Sequence, residues 1–230
     1  MNYLAANKIR FINNSKKCCI CFIDLVNSTG SVLKMINLEQ MRKYYSMFIN
    51  SVSDTVKRNS GIIIKNMGDS LFFYFPNTSD VDKSGVLAFN QVLDCGFEIL
   101  DMRYEINKEL YKDNIRTFDY RISMDYGIVD LARVRDHNQV DLFGPIVNIC
   151  AKINSSLSIY NEITIGLNFY KFLTSPFAAT FSTNYSFSYH REYRITEYNL
   201  YPIYIIKRNN TTVYDKNISS NDSKYLCIEE

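Results

Sequence analysis

Three short stretches of this 230-residue chain combine residue types suited to phosphate and metal chemistry. In Phe22-Ile23-Asp24-Leu25-Val26-Asn27-Ser28-Thr29 an apolar run ends abruptly on a carboxylate, and the polar residues after it open a helix. Backbone N–H groups at such a start favour phosphate, and a carboxylate beside them can hold a divalent ion bridging to it. In Lys65-Asn66-Met67-Gly68-Asp69-Ser70, between two β-prone runs, Asp69 falls at or near a hairpin turn. Alone, a Gly-Asp pair is a turn signature. Two acids at adjacent strand ends, however, repel each other unless a cation joins them, and a shared pair of Mg²⁺ or Mn²⁺ ions satisfies both. The third stretch runs from Asp141 to Lys152, where a helix beginning at Pro145 puts Asn148 and Lys152 four residues apart on one face.

These side chains need elements to hold them. Cys18 to Ile23 is apolar without alternation, as suits a strand covered on both faces. From Leu33 to Arg58, Met41, Tyr45, Phe48, Val52 and Val56 recur at helical spacing, and Asn59-Ser60-Gly61 supplies the stop. Ile62 to Ile64 and Leu71 to Phe75 form the hairpin, and a second long helix runs from about Ser79 to Tyr111. Tyr120 to Tyr126 and Ile128 to Val134 read as strands around Gly127, and a helix reaches from Pro145 to about Leu157. Ile163 to Ile165 is a short strand, Leu167 to Leu173 a short helix, and Ala178 to Lys207 a β-prone region. The order is an α+β one, a ferredoxin-like βαββαβ core with a C-terminal α/β extension and with helices on one side of the sheet.

Length and charge narrow the possibilities. A chain of this size builds one large domain, here residues 18–207, between an N-terminal segment 1–17 and a polar, Asn/Ser-rich tail 208–230 expected to be disordered. The 26 basic and 24 acidic residues are mixed along the chain, so no uniform field draws nucleic acid, and any anion site is local. Cys18, Cys19 and Cys21 crowd one apolar stretch while Cys95, Cys150 and Cys227 sit apart, which fits buried thiols in a reducing compartment better than a disulfide framework. Met1 to Lys17 is too charged for a signal peptide, and no apolar run reaches the ~20 residues of a membrane span. The expectation is a cytoplasmic protein with no membrane insertion.

Together the stretches resemble the catalytic domain of class III adenylyl and guanylyl cyclases. Phe22 to Thr29 resembles the family's F-x-D-x-x-x-S/T metal motif, and Ile64 to Ser70 its K-x-x-G-D hairpin. Asp141 to Lys152 resembles D-x-x-G-x-x-V-N-x-A-x-R, and Arg121 to Val129 the strand written R-x-G-x-x-x-G. The set covers roughly Ile20 to Lys207 in family order, which makes it more specific than any one motif.

The resemblance implies conversion of ATP to 3′,5′-cyclic AMP and pyrophosphate, with two Mg²⁺ or Mn²⁺ ions held by Asp24, Asp69 and the carbonyl of Leu25. It implies that Lys65 and Asp141 read the base, that Asn148 orients the ribose, and that Arg135 or Arg133 contacts the triphosphate. Hydrogen-bond polarity adds to this: adenine offers an acceptor at N1 and a donor at its amino group, matching a lysine and an aspartate, whereas guanine reverses both. In the family the metal acids come from one subunit and the base-reading residues from the other, so a homodimer with composite sites is implied. Lys152 departs from the pattern, standing where the family has a transition-state arginine. Phe143 replaces a usual Trp and Ser123 a frequent Gly. A weakly active or inactive nucleotide-binding dimerisation module is the alternative that Lys152 raises.

Overall fold

In a computed structural model of the chain, residues 9–12, 15–35, 37–79, 83–134 and 140–209 are described. The order is β1 (Ile9–Phe11), β2 (Lys16–Leu25), α1 (Ser28–Leu33), α2 (Leu38–Arg58), β3 (Ile62–Asn66), β4 (Ser70–Phe75) and α3 (Lys83–Lys112). It continues with β5 (Tyr120–Val134), β6 (Val140–Phe143), α4 (Pro145–Ser156), β7 (Ile163–Gly166), α5 (Leu167–Leu173), α6 (Ala179–Asn184), β8 (Tyr185–Thr196) and β9 (Asn199–Arg208). The main sheet runs β3-β4-β2-β5-β7-β9-β8, with β1 and β6 pairing the far half of β5. Only the β5–β7 pair is parallel among the described strand pairs. This is the expected α+β plan, and α5 falls on the expected residues.

The alternation of β2 divides the core. Cys19, Cys21, Ile23 and Leu25 face the cluster that contains α2 and α3, while Cys18 and Ile20 face α4 through Ile146, Cys150 and Ile153. The helices therefore cover both faces rather than one, which is why β2 lacks a polar stripe. Asp24 ends the row on the α4 side. α2 buries Tyr44, Phe48, Val52 and Val56, a strict i, i+4 row, and leaves Tyr45 only partly buried. It starts later than the spacing suggested: Asn37 caps it by accepting from the Gln40 N–H, 2.9 Å, and the short α1 precedes it.

The two strands expected around Gly127 are one strand. Gly127 stays in β5, and its missing side chain admits α4, since a Cβ there would lie 3.1 Å from the Cβ of Ile146. Ser123, on the same face, donates to the Cys150 carbonyl at 3.0 Å. The R-x-G-x-x-x-G-like stretch is thus a seat for α4. Lys65 and Asp141 meet at 2.6 Å although β4 and β2 separate β3 from β5 in the sheet, so the distal half of β5 and β6 curl back over this face.

Among the described residues one carboxylate lies wholly inside. Asp125 accepts from the Tyr126 N–H (2.8 Å), from the Phe169 N–H in the first turn of α5 (3.1 Å) and from the Tyr201 hydroxyl (2.8 Å). Burial pushes its pKa up to about 7, against the opposing effect of these bonds. Cys18, Cys19, Cys21, Cys95 and Cys150 are free and buried, and burial raises all five thiols, Cys18 to about 12. Among the described residues no helix is long and apolar enough to cross a membrane.

Candidate active site

The two acids expected at adjacent strand ends are there. Asp24 is the register partner of Ser70, and the Leu25 N–H donates to the Asp69 carbonyl at 2.9 Å. Asp69 lies in the β3–β4 turn, which Gly68 shapes with a φ of 87°, a conformation costly for other residues. The Gly68 N–H donates to the Asn66 side chain, and the Met67 N–H to the Ser70 carbonyl, both at 2.9 Å.

The acids are dressed differently. Asp24 takes a two-pronged contact from Arg121, Nε to Oδ1 and Nη2 to Oδ2, each 2.9 Å. The Ser28 hydroxyl donates to Asp69 Oδ2. Burial raises the Asp24 pKa, outweighing the hydrogen bonds and charge of Arg121, and Asp69 adds to the rise. Two carboxylates with a backbone carbonyl nearby are a hard-oxygen donor set, which suits Mg²⁺ or Mn²⁺. Asp24, Asp69 and Leu25 are the residues that would hold such an ion. Among the described residues no group of three or more His, Cys, Asp or Glu gathers, at these two acids or anywhere else.

The second group forms around a cavity of about 300 Å³. Lys65, Asp141 and Asn148 line it, and Phe22 and Phe72, stacked at 4.3 Å, belong to its wall. The register of β3 shifts between Ile63 and Lys65, so that Lys65 comes opposite Phe72. A bulge of this kind turns the two residues toward one side, which is how Ile64 packs in the α4 cluster while Lys65 reaches the cavity. Asp141 pairs with Ala132 in the β5–β6 ladder and accepts from the Leu142 N–H at 3.0 Å. Pro145 opens α4, and Asn148 and Lys152 stand exposed one turn apart on it.

Of the two triphosphate candidates, Arg133 is exposed on β5 opposite Arg10 and Val140. Arg135 lies outside the described residues, as does the tail from 210 onward. Arg121 and Ser28 fall inside the quoted motifs but were given no role there, and Asn154 lies outside them. A basic residue starting the strand that pairs antiparallel with the one ending at Asp24 is the signal that would have found Arg121.

The model of the adenylate and guanylate cyclase catalytic domain matches residues 12–207, and the chain belongs to that family. Solved structures agree on the fold. The adenylyl cyclase CyaB from P. aeruginosa aligns with a TM-score of 0.68 at 16% identity, over 90% of this chain and 98% of that one. The guanylate cyclase domain of RhGC from Catenaria anguillulae, in complex with GTP, aligns with 0.66 at 14% identity, over 86% and 100%. The guanylyl cyclase Cya2 gives 0.66 at 16%, over 87% and 95%. No curated protein sequence matches the chain.

Proposed function

We propose that this cyclase domain is an adenylate cyclase, converting ATP to 3′,5′-cyclic AMP and pyrophosphate in a homodimer with composite sites. The observation that carries the reading is the Lys65–Asp141 pair, 2.6 Å apart at the cavity that Asn148 also lines. An adenine entering between them accepts at N1 from Lys65 and donates its amino hydrogen to Asp141. A guanine finds donor against donor and acceptor against acceptor, leaving buried groups unpaired at about 1 to 3 kcal/mol each.

In the reaction the ribose 3′-oxygen bonds to the α-phosphorus as the bond to the β-phosphate bridging oxygen breaks, and the hydroxyl proton is lost. Asp24, Asp69 and the Leu25 carbonyl would hold two Mg²⁺ or Mn²⁺ ions, which would supply the acidification of that hydroxyl and offset phosphate charge. Asn148 orients the ribose, Lys152 places positive charge near the α-phosphate, and Arg133 or Arg135 takes the triphosphate. Free, buried thiols support a cytoplasmic location.

One observation favours a second reading, a nucleotide-binding dimerisation module of little activity. Lys152 offers a point charge where an arginine fork would hold phosphate oxygens in fixed geometry. Incubation of the purified protein with each of the four nucleoside triphosphates, in Mg²⁺ and in Mn²⁺, separates the readings by product analysis. Cyclic AMP is expected as the main product. Cyclic GMP in excess overturns the base assignment, and bound nucleotide without any cyclic product favours the module.

A further inference from the structure

The backbone at Leu25 is held from two directions. The Leu25 N–H donates to the Asp69 carbonyl at 2.9 Å, and the next N–H, that of Val26, donates to the Asp119 carbonyl, also at 2.9 Å. A trans peptide sets its C=O and its N–H on opposite sides of one plane. The Leu25 carbonyl shares a peptide with the Val26 N–H. An N–H held toward Asp119 therefore aims that carbonyl the other way, to the side on which Asp69 lies.

Asp119 is itself placed by residues outside the motifs. Asn161, in the loop between α4 and β7, donates from Nδ2 to Asp119 Oδ1 at 2.8 Å and accepts from the Tyr120 N–H at 3.0 Å. Its own N–H donates to the Tyr120 carbonyl at 2.8 Å. It does this in the left-handed conformation, φ 58°, which asparagine enters more readily than most residues with a side chain. Arg103 of α3 holds the same Asp119 oxygen at 2.7 Å. Asn107, one turn along α3, accepts from the Phe118 N–H and donates to the Phe118 carbonyl, both at 2.9 Å. The segment 118–120 is thus gripped by α3 and by Asn161, just before β5 begins its pairing with β2.

We propose that Asn161 is a positioning residue for the divalent ion: by fixing Asp119 and Tyr120 it aims the Leu25 carbonyl at the site formed with Asp24 and Asp69. The proposal rests on the metal reading of those three residues. Asn161 touches neither ion nor substrate, and it acts through the chain of bonds from Asp119 to Val26. A hard cation gains from a carbonyl oxygen only when that oxygen points at it, and water fills the place of one that turns away. Loss of Asn161 therefore weakens binding of the ion rather than abolishing it, since both carboxylates remain.

Mn²⁺ alone is titrated into the whole chain and the bound ion is measured by electron paramagnetic resonance. Hydrogen exchange of the Val26 amide is followed in metal-free samples of the same proteins. In the wild type Mn²⁺ should bind saturably and depend on Asp24. Asn161→Gly keeps the left-handed backbone and removes both side-chain bonds. It should bind Mn²⁺ about tenfold more weakly, the low end for groups that orient a metal ligand, and its Val26 amide should exchange faster. Asn161→Asp keeps the acceptor for the Tyr120 N–H but sets a second carboxylate against Asp119, and it should weaken binding likewise; it carries the test where the glycine variant does not fold. A purely structural role would lower the melting temperature and leave the affinity of the folded protein unchanged. Unchanged affinity in the folded variants, or weaker binding with Val26 exchange unaltered, overturns the positioning role alone. No saturable Mn²⁺ binding, or binding indifferent to Asp24→Ala, overturns the metal reading and the positioning role with it.

Discussion

Leu25 and Asp69 are joined by a backbone hydrogen bond of 2.9 Å, and this bond keeps the end of β2 against the β3–β4 turn. The carboxylates of Asp24 and Asp69 are thus presented from two strand ends that cannot drift apart independently. Asp24→Ala or Asp69→Ala is expected to lower metal-dependent turnover at least about a hundredfold, because a metal contributes several kcal/mol to such a transition state. Circular dichroism and size-exclusion chromatography should show an unchanged fold and dimer, since both side chains are at the edge of the core. Near wild-type turnover in either variant would show that these acids do not hold the ions.

The composite-site arrangement is tested by mixing two dead chains. Asp24→Ala lacks a metal acid and Lys65→Ala lacks a base contact, so a heterodimer has one site with both lesions and one with none. Random exchange at equal concentrations should restore about a quarter of wild-type activity, half the dimers being mixed with one good site each. Mixtures that stay inactive after subunit exchange has been demonstrated would exclude shared sites.

Lys152 stands exposed on α4, one turn beyond Asn148. In the proposed reaction its contact with phosphate charge would develop mainly in the transition state, so Lys152→Ala should lower kcat by about ten- to a hundredfold with little change in KM. Steady-state kinetics on ATP measures both. An unchanged kcat would make the residue an ordinary member of a solvated helix face.

Asp125 ties β5 to α5 and to Tyr201 of β9, and its pKa of about 7 lies above the ordinary 3.8. The proton is therefore bound more tightly in the fold than in the unfolded chain. This contribution is fully present at low pH, declines as pH rises from about 4 to about 7, and is flat above. Urea denaturation of the wild type and of Asp125→Asn from pH 5 to pH 8 should show the wild type losing stability relative to the variant up to pH 7. The relative loss is about 2.5 kcal/mol, slightly under two full pH units at 1.36 kcal/mol each because the slope falls off near pH 7. Parallel curves across that interval would mean that Asp125 is ionised in the fold.

Much of the plan was legible because it follows from local pattern. Cys18 to Asp24 ends an apolar run on an acid, Gly68 fits a turn, and Pro145 fits a first helical turn, so those elements came from the chain itself. What escaped depends on distant pairing. Gly127 looks like a breaker locally, and only the approach of Ile146 explains why a glycine sits inside a continuous strand. Tyr44 and Tyr45 are equally apolar in sequence, and the packing of α2 on Phe118 selects Tyr44. The motif marks Arg121 as the start of a strand, but only the antiparallel register shows that it meets Asp24, 97 residues earlier.

The buried thiols have a practical consequence. Cys18, Cys19, Cys21, Cys95 and Cys150 lie on β2, α3 and α4, so they sample both faces of the sheet and are almost wholly withdrawn from solvent. A thiol reagent reaches them only when the structure opens. In a Cys227→Ser chain, the rate at which each of the five is trapped would time the opening of its own part of the fold, without a denaturant and without an engineered label. Cys150 would report on α4 and Cys95 on α3, which makes the two sides of the sheet separately observable while the protein works.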